Sequence, residues 1–256
     1  QAQHEHHHMP AGKSDTLQWR MPMGNMTMPM LAGMHSYIPP MTPFLPAMGM
    51  DAAMLPLVQP RKVYQLADGD TLVLDARPVR RTINNITLVM YGFNGQHPGP
   101  LIRVEQNSTI IVDFTNNIEL PTTIHWHGLR LDNQFDGVPN LTQHPIPPGG
   151  KFPYKIFSRD AGMYKEEVVI FDDILLDGDQ LVPFGKEASN YTLMGRFGNL
   201  FLINGEPDYR LSVKRGEVVR FMLTNVSNTR TYNLVLDGAK MKAVGADISK
   251  YEREVW

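Results

Sequence analysis

The chain has 256 residues and a formal net charge of −2, enough length for one large or two ordinary domains and no electrostatic footprint for nucleic acid or an anionic membrane. Cysteine is absent, which excludes disulfides, thiol catalysis and any zinc or copper site that needs a thiolate from these residues. No apolar run approaches the roughly 18 residues needed to span a bilayer, and 20 prolines and 21 glycines between short Val/Ile/Thr-rich runs favour an all-β fold of short strands and tight turns.

Residues 1–58 have a composition of their own. Eleven of the 16 methionines lie at or before Met54, among them Met21, Met23, Met26, Met28, Met30 and Met34. His4, His6, His7, His8 and His35 accompany them. Thioether sulfur is a soft ligand suited to Cu(I) and imidazole accepts Cu(II), so this tail holds the donors for auxiliary copper sites. The alternative is a disordered Pro/Met-rich tail headed by an expression tag, although a tag explains none of the methionines. No charged-plus-apolar leader is visible, and a mature chain starting at Gln1 would already have lost one.

Residues 59–164 read as a β domain. Strands are predicted at 71–74, 86–90, 101–104 and 109–114, with turn signals at Asp68-Gly69, Asn94-Gly95, Pro98-Gly99-Pro100 and Asn116-Asn117. A further strand through Thr122-Thr123-Ile124 is expected to carry His125-Trp126-His127-Gly128. Alternate side chains of a strand share a face, so His125 and His127 should project together, with Trp126 turned into the core. Two imidazoles at this spacing offer two neutral nitrogen donors to copper or zinc. Taken alone the pair is a weak signal, since surface and core histidines produce it too. His97, in a Pro-Gly turn, is assigned a structural or surface role.

Residues 165–256 repeat the pattern. Asn94-Gly95 recurs as Asn204-Gly205, Thr115-Asn116 as Thr224-Asn225, and the strand at 109–114 as one at 218–223. A period near 110 residues is one domain, so the chain reads as two tandem copies of one β fold. Where the first copy has its histidines, the second reads Val235-Leu236-Asp237-Gly238. The fold alone therefore does not demand imidazoles there.

In this setting the runs Asn94-Gly95-Gln96-His97-Pro98-Gly99-Pro100, His125-Trp126-His127-Gly128, Asp136-Gly137-Val138-Pro139 and 142–150 resemble the first domain of multicopper oxidases. The stretch from Leu202-Ile203-Asn204-Gly205 to Asp237-Gly238 resembles that family's middle domain, and the Met-rich tail is similar to those of bacterial laccase-like and copper-resistance oxidases. The resemblance implies tandem cupredoxin-like Greek-key β-sandwich domains and a trinuclear copper cluster between the first and last domains. It places His125 on the type 2 copper, His127 on one type 3 copper, and Asp136 beside the cluster as the acid that supports proton delivery. The alternative, less favoured, is that Asp136 simply shapes an Asp-Gly turn. His144 is not assigned as a ligand. The implied activity couples one-electron oxidation of a small reducing substrate, phenolic or Cu(I), to four-electron reduction of dioxygen to water. Such chemistry belongs in the periplasm or outside the cell, and the methionines tilt the substrate towards Cu(I).

The chain also departs from the family. After Asp160-Ala161-Gly162-Met163-Tyr164 a second His-x-His pair and closing strands are expected, yet Lys165 to Phe171 already resembles the opening of the middle domain. Both sandwiches are thus expected to be incomplete as written, and the type 1 copper is not encoded in these residues. A working oxidase would need a missing carboxy-terminal cupredoxin domain, from the same or another chain. Two other readings stand beside it: a non-catalytic periplasmic copper-binding or storage protein, and a purely structural pair of β-sandwiches.

Overall fold

The computed structural model describes residues 44–158, 165–185, 191, 194–246 and 249–255. In chain order the strands are β1 (Val63–Leu66), β2 (Thr71–Ile83), β3 (Ile86–Phe93), β4 (Leu101–Val104), β5 (Thr109–Asn116) and β6 (Lys151–Phe157). They continue with β7 (Lys165–Ile174), β8 (Leu176–Asp177), β9 (Gln180–Leu181), β10 (Leu200–Ile203), β11 (Val219–Asn225), β12 (Ala243–Ala246) and β13 (Ser249–Val255). The four strands predicted in the first copy are present, and three of them run longer than their apolar runs indicate.

The first sheet has the order β3-β2-β5-β6, with β2 and β5 parallel and the outer pairs antiparallel. Alternation turns Leu72, Leu74 and Ala76 of β2, Ile110, Val112 and Phe114 of β5, and Tyr154 and Ile156 of β6 to one buried face. The parallel pair β1-β4 lays Tyr64, Leu66, Ile102 and Val104 against that face. Full burial of a side chain such as Phe114 is worth about 1.5–3 kcal/mol.

The second sheet, β10-β7-β11, repeats β3-β2-β5 in order and direction. The likeness extends to single hydrogen bonds. Asn94 and Asn204 both have positive φ and each opens a hairpin turn closed by a reciprocal backbone pair. Asn94 Oδ1 accepts from Asp75 N–H at 2.8 Å and its Nδ2 donates to the Val73 carbonyl at 3.0 Å. Asn204 makes the same two bonds to Ile170 and Val168, at 2.9 and 3.0 Å. The copies differ in the connection before this turn. Between β7 and Asn204 the second copy carries the β8-β9 hairpin, which has no counterpart between β2 and Asn94, so the offset between copies is larger after this connection than before it.

Ile83 and Leu88 of the first copy share a core cluster with Ile174 and Leu202 of the second. Above it, buried Arg81 donates to the His97 carbonyl at 2.7 Å and to Glu206 Oε1 at 2.5 Å, clasping the two Asn-Gly turns together. Residues 44–58, assigned to the tail on composition, lie against both copies. Phe44 N–H donates to the Phe184 carbonyl at 2.8 Å with the two rings stacked, and Ala47 N–H donates to Glu119 Oε1 at 2.7 Å. Among the described residues nothing pairs with the edge of β11 that corresponds to the β6 side of β5, and Met222, Leu223 and Val226 are exposed there.

Candidate metal centre

The histidine pair does not sit on a strand of a sheet, contrary to the sequence expectation. Thr122 and Ile146 exchange backbone hydrogen bonds of 3.0 and 2.8 Å in an isolated antiparallel bridge, and beyond it residues 123–126 pair with no ladder. The next rung towards the histidines would pair Ile124 with His144, but the Ile124 N–H is donated to the Tyr154 hydroxyl instead, and on the other side the rung position opposite Leu120 is Pro148, which has no N–H. The segment nevertheless alternates as an extended chain does. His125 and His127 are exposed, and Trp126 packs on the core with its ring 5.8 Å from that of Tyr154.

His125 is held from behind. Its Nδ1 lies 2.7 Å from the Asp136 carbonyl oxygen, which can only accept, so Nδ1 carries the hydrogen and Nε2 keeps its lone pair. The Asp136 carboxylate approaches the same ring nitrogen, with Oδ2 at 3.7 Å, and so stands on the side away from Nε2. Gly137 makes this approach possible. Its φ is +76°, and a Cβ there would fall 1.7 Å from the Ile124 carbonyl oxygen and 3.1 Å from His125 Cα. Asp136 itself closes a short 3-10 turn at Asn133–Phe135, and the Phe135 ring anchors that turn on Phe152 at 6.4 Å. Asp136 therefore shapes a turn and touches His125 at once. The sequence set turn shaping against proton delivery; the structure shows the turn and a carboxylate beside His125.

The donors suit a metal that binds neutral imidazole. The rings of His125 and His127 lie edge to face at 5.7 Å, and the His125 side chain is 44% exposed, so its Nε2 can be reached. A backbone carbonyl fixing Nδ1–H is the arrangement that orients a metal-binding histidine. Among the described residues no group of three or more His, Cys, Asp or Glu is placed to hold an ion.

The remaining histidines lie elsewhere. Burial, followed by the nearby Arg81 charge, pushes His97 down to about 4, and its Nδ1 is buried without a partner, which agrees with a structural role. His144 is exposed and joins no such group. His4, His6, His7, His8, His35 and Met21 through Met34 lie outside the described residues. Sequence reasoning missed Tyr154, whose hydroxyl accepts the Ile124 N–H at 2.9 Å. Strand alternation turns Tyr154 inward, but no local signal connects it to a backbone amide 30 residues away.

The second copy makes the same turn without the donors. Gly128 and Gly238 have φ of +75° and +74°, and the bond from Leu129 N–H to the Trp126 carbonyl has its counterpart from Ala239 to Leu236. Val235, 83% exposed, stands in the place of His125.

Residues 77–164 match the multicopper oxidase family model, a stretch that contains both histidines, Asp136 and Tyr154. Over that stretch the chain is similar to the multicopper oxidases. It is 36% identical over 151 residues to Laccase-1 of Botryotinia fuckeliana, covering 55% of this chain and 26% of that protein. It is 29% identical over 109 residues to Copper resistance protein A of Pseudomonas syringae pv. tomato, covering 40% of this chain and 18% of that one. The crystal structure of a multicopper oxidase from Pseudomonas thermotolerans superposes with a TM-score of 0.63 at 28% identity, over 76% of this chain and 54% of the other. The all-β, cupredoxin-like sandwich fold is shared with that structure, and copper is the metal of the family. The chain spans about a quarter or less of the length of these curated relatives. No helix among the described residues is long and apolar enough to cross a membrane.

Proposed function

We propose that this chain supplies His125 and His127 to the oxygen-reducing copper cluster of a laccase-like oxidase, which oxidises a phenol or Cu(I) one electron at a time and reduces dioxygen to water. The observation that carries the reading is the ligand segment itself: two outward imidazoles, one with its Nδ1–H fixed on a backbone carbonyl, in a turn that the second copy builds without histidines. His125 would hold the type 2 copper through Nε2, and His127 one type 3 copper. Bound copper supplies the one-electron steps and the place where dioxygen is reduced. The protein's part is positional and protic. Gly137 lets the Asp136 carbonyl reach His125, the carbonyl keeps the proton on Nδ1, and the partly exposed Asp136 carboxylate can pass protons from solvent. The remaining ligands and the type 1 copper would come from a further cupredoxin domain, on the same or another polypeptide. The relatives named as a laccase and a copper resistance protein support this class of activity and a periplasmic or secreted location.

The absence of a third ligand group among the described residues favours one competing reading, copper binding or storage without turnover, aided by the Met/His-rich tail. Copper per chain and oxygen uptake, measured together on full protein of known intact mass, separate the two. An oxidase consumes oxygen with a phenol or Cu(I), and His125→Ala/His127→Ala abolishes uptake while leaving the far-ultraviolet circular dichroism unchanged. Copper binding with no oxygen uptake would establish storage instead. Uptake that survives the double substitution would sink the assignment.

A further inference from the structure

The ligand segment lacks a ladder, so something else must fix its depth on the sheet. Ile124, the residue before His125, donates its N–H to the Tyr154 hydroxyl at 2.9 Å. Tyr154 lies on β6 and is fully buried. Its ring is wedged between Phe152 at 4.7 Å, Trp126 at 5.8 Å and Phe114 at 6.4 Å, so the hydroxyl is a fixed point of the core. The ring thus touches the residue after His125, and its hydroxyl binds the residue before it. On the far side, the Asp136 carbonyl holds the imidazole at Nδ1. His125 is gripped at its backbone from one direction and at its ring from the other.

We propose that Tyr154 is the positioning residue of this centre, and that its hydroxyl sets where His125 Nε2 stands relative to His127. The inference rests on reading that pair as copper ligands. Tyr154→Phe keeps the ring stack and removes the acceptor, leaving the Ile124 N–H without a partner and the segment free to shift. Partners that orient a metal-binding histidine change affinity by about 10–100-fold when removed, and a misplaced ring also alters the coordination geometry.

The test titrates Cu(II) alone into full protein, with electron paramagnetic resonance as the second readout. Four proteins are compared: wild type, Tyr154→Phe, His125→Ala/His127→Ala and Tyr232→Phe. Tyr232, hydrogen-bonded to Ser227 at 2.6 Å in the second copy, is a phenol remote from the histidines by sequence and tests mere loss of a hydroxyl. Cu(II) affinity of the pair should fall at least about tenfold in Tyr154→Phe, with a changed copper hyperfine pattern, and neither should change in Tyr232→Phe. Wild-type affinity and spectrum in Tyr154→Phe would overturn the positioning role. A double histidine variant indistinguishable from wild type would instead overturn the ligand assignment beneath it. Should Tyr154→Phe fail to fold, amide exchange in the wild type decides: the Ile124 amide must be protected, and exchange at the rate of an open coil refutes the grip.

Discussion

Gly137→Ala isolates the contact that places Asp136 behind His125. The new Cβ would lie 1.7 Å from the Ile124 carbonyl oxygen, and carbon and oxygen do not approach within 3.0 Å, so the two backbones must part by roughly 1.3 Å. The 2.7 Å bond between His125 Nδ1 and the Asp136 carbonyl cannot stretch that far and would break. Losing it costs about 1 kcal/mol. Holding alanine at φ of +76° costs roughly another 1–2 kcal/mol. A total of about 2–3 kcal/mol corresponds to a fall of roughly 5–10 °C in Tm for a protein of this size. The displaced His125 ring should also weaken Cu(II) binding by the pair at least about tenfold. Gly69→Ala is the control, because Gly69 is left-handed too but has nothing within 4 Å of its Cβ position. Calorimetry and Cu(II) titration of both variants measure the difference. Equal loss of stability in the two, with copper affinity intact in Gly137→Ala, would refute the reasoning.

The equivalence of the copies predicts matched costs for Asn94→Ala and Asn204→Ala, since each removes two side-chain bonds to a neighbouring strand and a favoured left-handed residue. Each should lower stability by about 2 kcal/mol in denaturant titrations, and indifference in either copy would contradict the shared role. Stability against pH should show two opposed slopes. His97, neutral in the fold down to about 4 because of burial, withdraws stability as pH falls from 6.5 towards 4. Asp172, raised to about 6 by burial, withdraws stability as pH rises from 3.8 towards 6. His97→Gln should therefore leave a stability that falls across pH 4–6, and Asp172→Asn one that rises; the same profile in both variants would refute the pair.

Much of the fold was legible because its signals are local. Apolar alternation marks β2, β3, β5 and β11, and Asn-Gly marks both hairpin turns, since each depends on neighbours in sequence. The repeat could be found for the same reason: Asn94 and Asn204 serve turns that constrain residue type. Failures came where a distant segment decided. Thr122 to His127 alternates like a strand, yet the Ile124 N–H that the next rung would use is taken by the Tyr154 hydroxyl. Composition joined residues 44–58 to the tail, whereas Phe44 and Ala47 are held by Phe184 and Glu119.

The sequence by itself determined that the first copy carries two imidazoles on one face of an extended segment and that the second copy does without them. Backbone geometry gives period two to any extended chain, whatever surrounds it. Only the tertiary structure decided which nitrogen of His125 is offered and what holds the ring. Those depend on Asp136 crossing behind it, on Gly137 having no side chain to stop that crossing, and on a buried hydroxyl from β6. Each is a contact at van der Waals or hydrogen-bond range between segments 11 to 30 residues apart, and packing alone sets such distances.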